Sequence, residues 1–169
     1  KGQVTRAAGP AFEQMLVGAG ASISSMASSE IYTGMQTGVL DAANTSSGSF
    51  VSYRLYELVK CMTAPGEHAL WFMYEPVLMS KASWDKLDKK QQAALRAAGE
   101  KSEEYFFGEA KKLDSNMVDV YKKAGVKVVT MDAKQAAAWQ KIANDTSYKI
   151  FAEKVPGGKE LIQKAQSVK

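Results

Sequence analysis

Cysteine and histidine are almost missing from this chain. Its 169 residues contain one of each, Cys61 and His68. A single thiol cannot close an internal disulfide. With one imidazole it cannot build a cysteine- or histidine-rich metal site either. No metal and no cofactor are therefore expected. An excess of one charge is also missing. Lys and Arg total 22 against 18 Asp and Glu, for a net charge of +4. That is far from the basic density of a nucleic-acid binder, and most lysines sit beside Glu or Asp on expected helix faces, as on a solvated surface. No apolar run approaches the ~20 residues that span a bilayer. The opening Lys1–Arg6 has no apolar signal-peptide core, so either the protein is cytoplasmic or the start of a longer precursor is missing.

The common catalytic motifs are absent too: no GxSxG, no P-loop, no GxGxxG and no HExxH. Cys61 and His68 are the nearest thing to a nucleophile–base pair, but a Pro65-Gly66 break separates them and they need not meet. Cys61 is expected to be a core thiol on an apolar helix. Glu100, Glu103 and Glu104 read as a solvated helix face. Nothing here supports an enzyme.

What is present is an ordinary globular composition, 46 % apolar and 24 % charged, enough for one domain or two small lobes. The chain alternates short apolar strands with helices, an α/β pattern. Residues 1–8 read as a strand centred on Val4. Pro10 opens a helix that closes at Gly18. Residues 22–26 are a short strand-like segment. Ser28 and Ser29 are candidate caps for a helix to about Thr37. Val39 to Ala43 reads as a buried strand, and Phe50 to Met62 as an amphipathic helix. Residues 69–80 read as strand, bend, strand around Pro76, and Ser83 as the cap of a short turn. Asp88 should cap a helix that reaches Ala124 and stops at Gly125. At 1.5 Å per residue it would be ~54 Å long, longer than a domain of this size. Its stripe of Phe106, Ala110, Leu113, Met117 and Val120 has the period of one buried face. A strand at 126–129 follows. Asp132 then caps a helix with Trp139, Ile142, Thr146 and Ile150 inward, and Pro156-Gly157-Gly158 precedes a last amphipathic turn or two.

Several side chains suit small-molecule binding. Arg6 ends the first strand before a Gly-Pro turn, and its planar fork pairs carboxylates bidentately; a surface ion pair is the bland alternative. Asn44, Thr45, Ser46 and Ser47 follow a strand, where open α/β sheets place ligands, although serines there also cap helices. His68 is read first as a structural histidine. Trp71 and Phe72 either pack in the core or line an aromatic pocket.

Four stretches then add up to a resemblance. They are Lys1-Gly-Gln-Val-Thr-Arg6, the run from Ser29-Glu-Ile-Tyr to Gly38-Val-Leu-Asp41, Leu55-Tyr-Glu57 with Lys60 and Thr63, and Leu78-Met-Ser-Lys81 with Trp84 and Leu87 before a long Gln/Ala/Glu-rich helix. In this order the sequence resembles the solute-binding proteins of tripartite ATP-independent periplasmic (TRAP) transporters, the dicarboxylate-binding-protein (DctP) family. The match covers nearly the whole chain. The resemblance implies a periplasmic-binding-protein-like α/β fold, here the second lobe plus a hinge-spanning helix, with the N-terminal half of the usual two-lobed fold absent. It implies a ligand-binding lobe over 1–80, and over 81–169 the long helix and C-terminal helices packing on the other lobe.

By the same resemblance, Arg6 clamps an organic-acid carboxylate and the cleft closes without chemistry. The loop after Asp41 supplies a polar side chain. Many members have Asn within a Gly-Gln-Glu-Asn-Pro run, and Ala42-Ala43-Asn44-Thr45-Ser46 stands here, so Asn44 or Thr45 takes that place. Ser28 replaces an aromatic wall, His68 matches a family histidine, and Trp71 stands near the pocket. These departures point away from a sialic-acid-like or simple dicarboxylate ligand and towards a keto, hydroxy or aromatic monocarboxylate. The implied partners are the TRAP permease subunits and either the N-terminal half or a second copy covering the helix stripe, with no nucleic acid. The implied location is the periplasm. A truncated, self-associating remnant that transports nothing is the alternative.

Overall fold

The computed structural model describes residues 1–72 and 76–168. The chain opens with β1 (Val4–Arg6), α1 (Pro10–Gly18), β2 (Ser22–Ile23), a 3₁₀ turn at Ser28–Glu30, α2 (Ile31–Gln36) and β3 (Ala42–Ala43). Then come α3 (Ser47–Ser52), a 3₁₀ turn at Leu55–Glu57 and β4 (Cys61–Thr63). The rest is α4 (Lys81–Trp84), α5 (Lys89–Lys123), β5 (Lys127–Val129), α6 (Ala133–Ala143), a π-helical turn at Asn144–Tyr148, α7 (Lys149–Lys154) and α8 (Gly158–Ser167).

The strands form two parallel sheets, in the orders β2-β1-β3 and β4-β5. In the first, Thr5 pairs with Ile23 on one side and Ala42 on the other. Parallel strands need covered crossovers, and α1 and α2 supply them here. β1 is the central strand, so all three strands end at the same sheet edge, with Arg6 in the middle. Ile31, Leu40 and Leu55 form the core under this sheet. A second core of Met62, Ala64, Met117, Tyr121 and Val126 joins β4 and β5 to the C-terminal end of α5. Phe50 touches both.

Local chemistry sets most element starts. Pro10 occupies the first turn of α1, where a missing N–H costs nothing. Asp88 accepts from Gln91 N while Gln91 accepts from Asp88 N, a reciprocal cap on α5; Asp132 and Gln135 repeat it on α6. Gly125, at φ 78°, ends α5 in the left-handed region that glycine tolerates.

Five expectations are corrected. The 50–62 helix stops at Ser52 because Arg54 adopts φ 55°; the chain turns, buries Leu55 and runs out as β4. Cys61 therefore lies exposed on a strand, not in a helical core. The strand expected over 39–43 is only Ala42–Ala43 in the ladder. Gly38 (φ 76°) turns the chain so that Val39 faces solvent and Leu40 folds onto Gly34, whose added Cβ would come within 2.9 Å of it. Ser28 and Ser29 cap nothing: Glu30 reaches back to the Ala27 amide at 2.8 Å. Ser80, not Ser83, caps α4, its Oγ accepting from Ser83 N at 3.1 Å. Of the strand-bend-strand reading, residues 73–75 lie outside the described residues, and the described flanks carry no regular structure.

The fifth correction concerns the stripe on α5. Only its C-terminal end is covered: Met117 and Tyr121 are buried, while Leu113 and Phe106 are 38 % and 50 % exposed. The reason is length. α5 has 35 residues, and no other helix described exceeds the 11 of α6. After α5, the chain returns to the N-terminal elements: β5 pairs with β4, and the π turn packs on α1, where Ser147 Oγ donates to the Ala11 carbonyl at 2.5 Å. Residues 117–148 thus share one packed unit with residues 1–64.

Candidate functional site

Arg6 is the last residue of the central strand, and it is only 9 % exposed. Its guanidinium donates from Nε to the Met26 carbonyl at 3.2 Å and from Nη1 to the Asn44 carbonyl at 2.9 Å. Met26 follows β2 and Asn44 follows β3, so the two outer strands hand their carbonyls to a side chain on the middle one. Neither acceptor is charged. Among the described residues no carboxylate pairs with Arg6. Burial pulls its pKa below the ordinary arginine value through desolvation, yet arginine stays charged.

The Nη2 nitrogen has no protein partner among the described residues, and no sealed side-chain polar atom there is left without one. The result is a guanidinium oriented by two neutral carbonyls, with no carboxylate against it among the described residues. That arrangement costs free energy unless an anion arrives, and a carboxylate fits the fork.

Around Arg6 the edge is polar. Asn44 Oδ1 accepts from the Ala8 amide at 3.3 Å, and the Asn44 amide donates to the Arg6 carbonyl at 2.8 Å. Thr45 beside it is buried, 8 % exposed. Ser28, half-buried, lies two residues beyond the Met26 carbonyl. Arg6, Asn44 and Thr45 thus share the C-terminal edge of one parallel sheet, the edge at which open α/β folds hold ligands, and Ser28 opens the 3₁₀ turn after β2.

Of the other two expected residues, His68 lines a surface cavity of about 420 Å³ with Met15, Met131, Trp139, Gln140 and Tyr148, which Arg6, Asn44, Thr45 and Ser28 do not border. Trp71 is partly buried and packs on Phe12 of α1, with ring centroids 4.9 Å apart. Two contributors had no sequence signal at all, the Met26 carbonyl and the Ala8 amide. Every residue carries such backbone groups, and only the fold selects which ones reach Arg6 and Asn44. Among the described residues no cluster of three or more His, Cys, Asp or Glu is placed to hold a metal ion. No described helix is long and apolar enough to cross a membrane.

Comparison with known proteins agrees with the fold. The model of the bacterial extracellular solute-binding proteins, family 7 (DctP), matches residues 1–154. A solute-binding protein of Albidiferax ferrireducens is 43 % identical over 166 residues, which is 98 % of this chain and 49 % of that protein. The C4-dicarboxylate-binding periplasmic protein of Rhodobacter capsulatus is 28 % identical over 69 % of this chain and 34 % of its own length. In three dimensions, the chain is similar to a TRAP periplasmic solute-binding protein of Rhodoferax ferrireducens crystallised with malonate. The TM-score is 0.91 at 43 % identity, over 98 % of this chain and 52 % of that one. An orotate-bound counterpart from Desulfovibrio salexigens superposes at TM-score 0.84 with 24 % identity, over 96 % of this chain and 52 % of that one, and shows the shared fold. The chain spans about half the length of the Albidiferax, Rhodoferax and Desulfovibrio proteins. Fold, order of elements and sequence together place it: the chain belongs to family 7 of the bacterial extracellular solute-binding proteins, the DctP family.

Proposed function

We propose that this chain is the carboxylate-holding part of a periplasmic TRAP solute-binding protein, with Arg6 as the clamp. One observation carries the reading. Arg6 is buried, held by the neutral carbonyls of Met26 and Asn44, and among the described residues it meets no counter-charge. A small organic acid supplies that charge and two acceptors in the matching plane. Thr45 on the same edge and Ser28 after β2 offer further polar contacts. No chemistry is done on the ligand. It is captured, the cleft closes to the extent that the closed form binds it better, and it is passed to membrane permease subunits.

The similar Rhodoferax protein holds malonate, so malonate is the first ligand to try, beside keto-, hydroxy- and aromatic monocarboxylates. Calorimetry on the intact protein tests the clamp. Arg6→Ala should weaken binding about a hundredfold or more, since a charged bidentate pair is lost. Arg6→Lys should also be weak, because a point charge does not reproduce the fork. Unchanged affinity in both variants would refute the assignment.

The bare face of α5 extends the reading. Tyr105, Phe106 and Phe107 are 72 %, 50 % and 63 % exposed, and Leu95 and Leu113 stand out with them. Apolar exposure of this extent marks an interface. We read it as the seat of the polypeptide that makes up the rest of the relatives' length. A second copy of this chain is the other occupant, and it belongs to the reading of a self-associating remnant without transport. Native mass spectrometry separates them. A complex with a further polypeptide, or with a small acidic adduct, supports the binding protein, and a ligand-free homo-oligomer supports the remnant.

A further inference from the structure

We propose that Asn44 is a positioning residue for Arg6 and not a contact to the ligand. The inference rests on the clamp reading and narrows it. Residue 44 is tied to the start of the chain at three points. Its amide donates to the Arg6 carbonyl at 2.8 Å, its carbonyl accepts from Arg6 Nη1 at 2.9 Å, and its side-chain Oδ1 accepts from the Ala8 amide at 3.3 Å.

The first two bonds need only a backbone, and any residue could make them. The third needs this side chain. It engages Ala8 where the chain leaves β1, one residue before Gly9. Gly9 has φ 140°, in the region that favours glycine, so the connection to α1 has little stiffness of its own. With Oδ1 in place, the residues on both sides of the Asn44 carbonyl are fixed, and that carbonyl aims Arg6. Without it, the Ala8 amide loses its acceptor, the 7–9 connection loosens, and the carbonyl that guides the guanidinium is held less firmly. The side-chain oxygen of Asn44 is engaged within the protein, and the positioning role falls to it.

Two readouts on the intact protein test this. The first needs no ligand. The Arg6 Nε–H resonance and the hydrogen-exchange protection of the Ala8 amide are followed by NMR. Asn44→Ala should shift or broaden the former and cut the latter at least about tenfold, the scale of one lost hydrogen bond. Asn44→Asp retains an oxygen for Ala8 and should keep the Ala8 protection close to the wild type, which also serves if the alanine variant folds poorly. Unchanged signals in Asn44→Ala overturn the proposal whatever the ligand is.

The second readout is affinity for malonate and for pyruvate. Asn44→Ala should weaken both by the same factor, about tenfold, and should add little to Arg6→Lys, because the group it orients is already gone. A changed malonate-to-pyruvate ratio, or a loss that adds fully to that of Arg6→Lys, makes Asn44 a ligand contact and overturns the proposal. Absence of any carboxylate binding to the wild type instead removes the clamp reading, and the NMR signals still decide the role of Asn44.

Discussion

The two ends of α5 share one apolar repeat but not one environment. At the C-terminal end Met117 and Tyr121 are 1 % and 0 % exposed. Tyr121 lies edge-on to Phe50 and Tyr56 and donates its hydroxyl to the Phe50 carbonyl at 3.1 Å. About one and three turns earlier, Leu113 and Phe106 continue the spacing but are 38 % and 50 % exposed. Periodicity reports which face a helix intends to bury. Burial itself needs a neighbour, and β4, β5 and α3 reach only the last turns.

This contrast can be broken by substitution. The largest effect is expected at the buried end. Tyr121→Ala should destabilise the protein by about 3–5 kcal/mol, as for other large core truncations, read from denaturant midpoints. Next comes Phe106→Ala in the intact protein. If another polypeptide covers α5, the loss should reach about 2–4 kcal/mol. A loss below about 0.5 kcal/mol there would mean that nothing sits on this face.

Smaller effects sharpen the comparison. Tyr121→Phe keeps the packing and strands the Phe50 carbonyl, so about 1–2 kcal/mol is expected. The same variant tests a pH dependence. Burial holds the Tyr121 phenol above its ordinary value, with a small further push from Tyr56. An unfolded phenol ionises near pH 10, so above that the unfolded chain releases a proton that the folded protein keeps. Stability then falls as pH rises. Between pH 9 and 11 the melting temperature of Tyr121→Phe should drop less than that of the wild type, and parallel curves would show that this tyrosine does not contribute. The smallest effect is Phe106→Ala in this chain alone. An exposed side chain with no cover should matter by no more than about 0.5 kcal/mol.

The candidate site divides in the same way. Arg6 was legible because it ends a strand before Gly9-Pro10, and because the sequence around it carries a family pattern. Asn44 and Thr45 were legible as polar residues after a strand, and the structure brings them to the edge that holds Arg6. His68 and Trp71 carried chemistry in the sequence without a position: the structure puts His68 on a cavity that Arg6 does not line and Trp71 against Phe12. Residue type does not reveal which surface a side chain lines. Cys61 was misread for a related reason. The apolar residues of 50–62 suit helical spacing, but Arg54 breaks the helix, and the remainder finds a strand partner in residues 127–129, more than sixty positions away.

The sequence by itself determined what local forces control. Pro10, Asp88 with Gln91, Asp132 with Gln135, and Gly125 fix where helices begin and end, because caps and left-handed glycines act within four residues. The ordered motifs determined the family. The tertiary structure alone decided which carbonyls orient Arg6, since Met26 and Asn44 lie 20 and 38 residues from it. It also decided which turns of α5 are covered. Both depend on what stands beside a residue in space, and a parallel sheet brings together segments that the chain keeps apart.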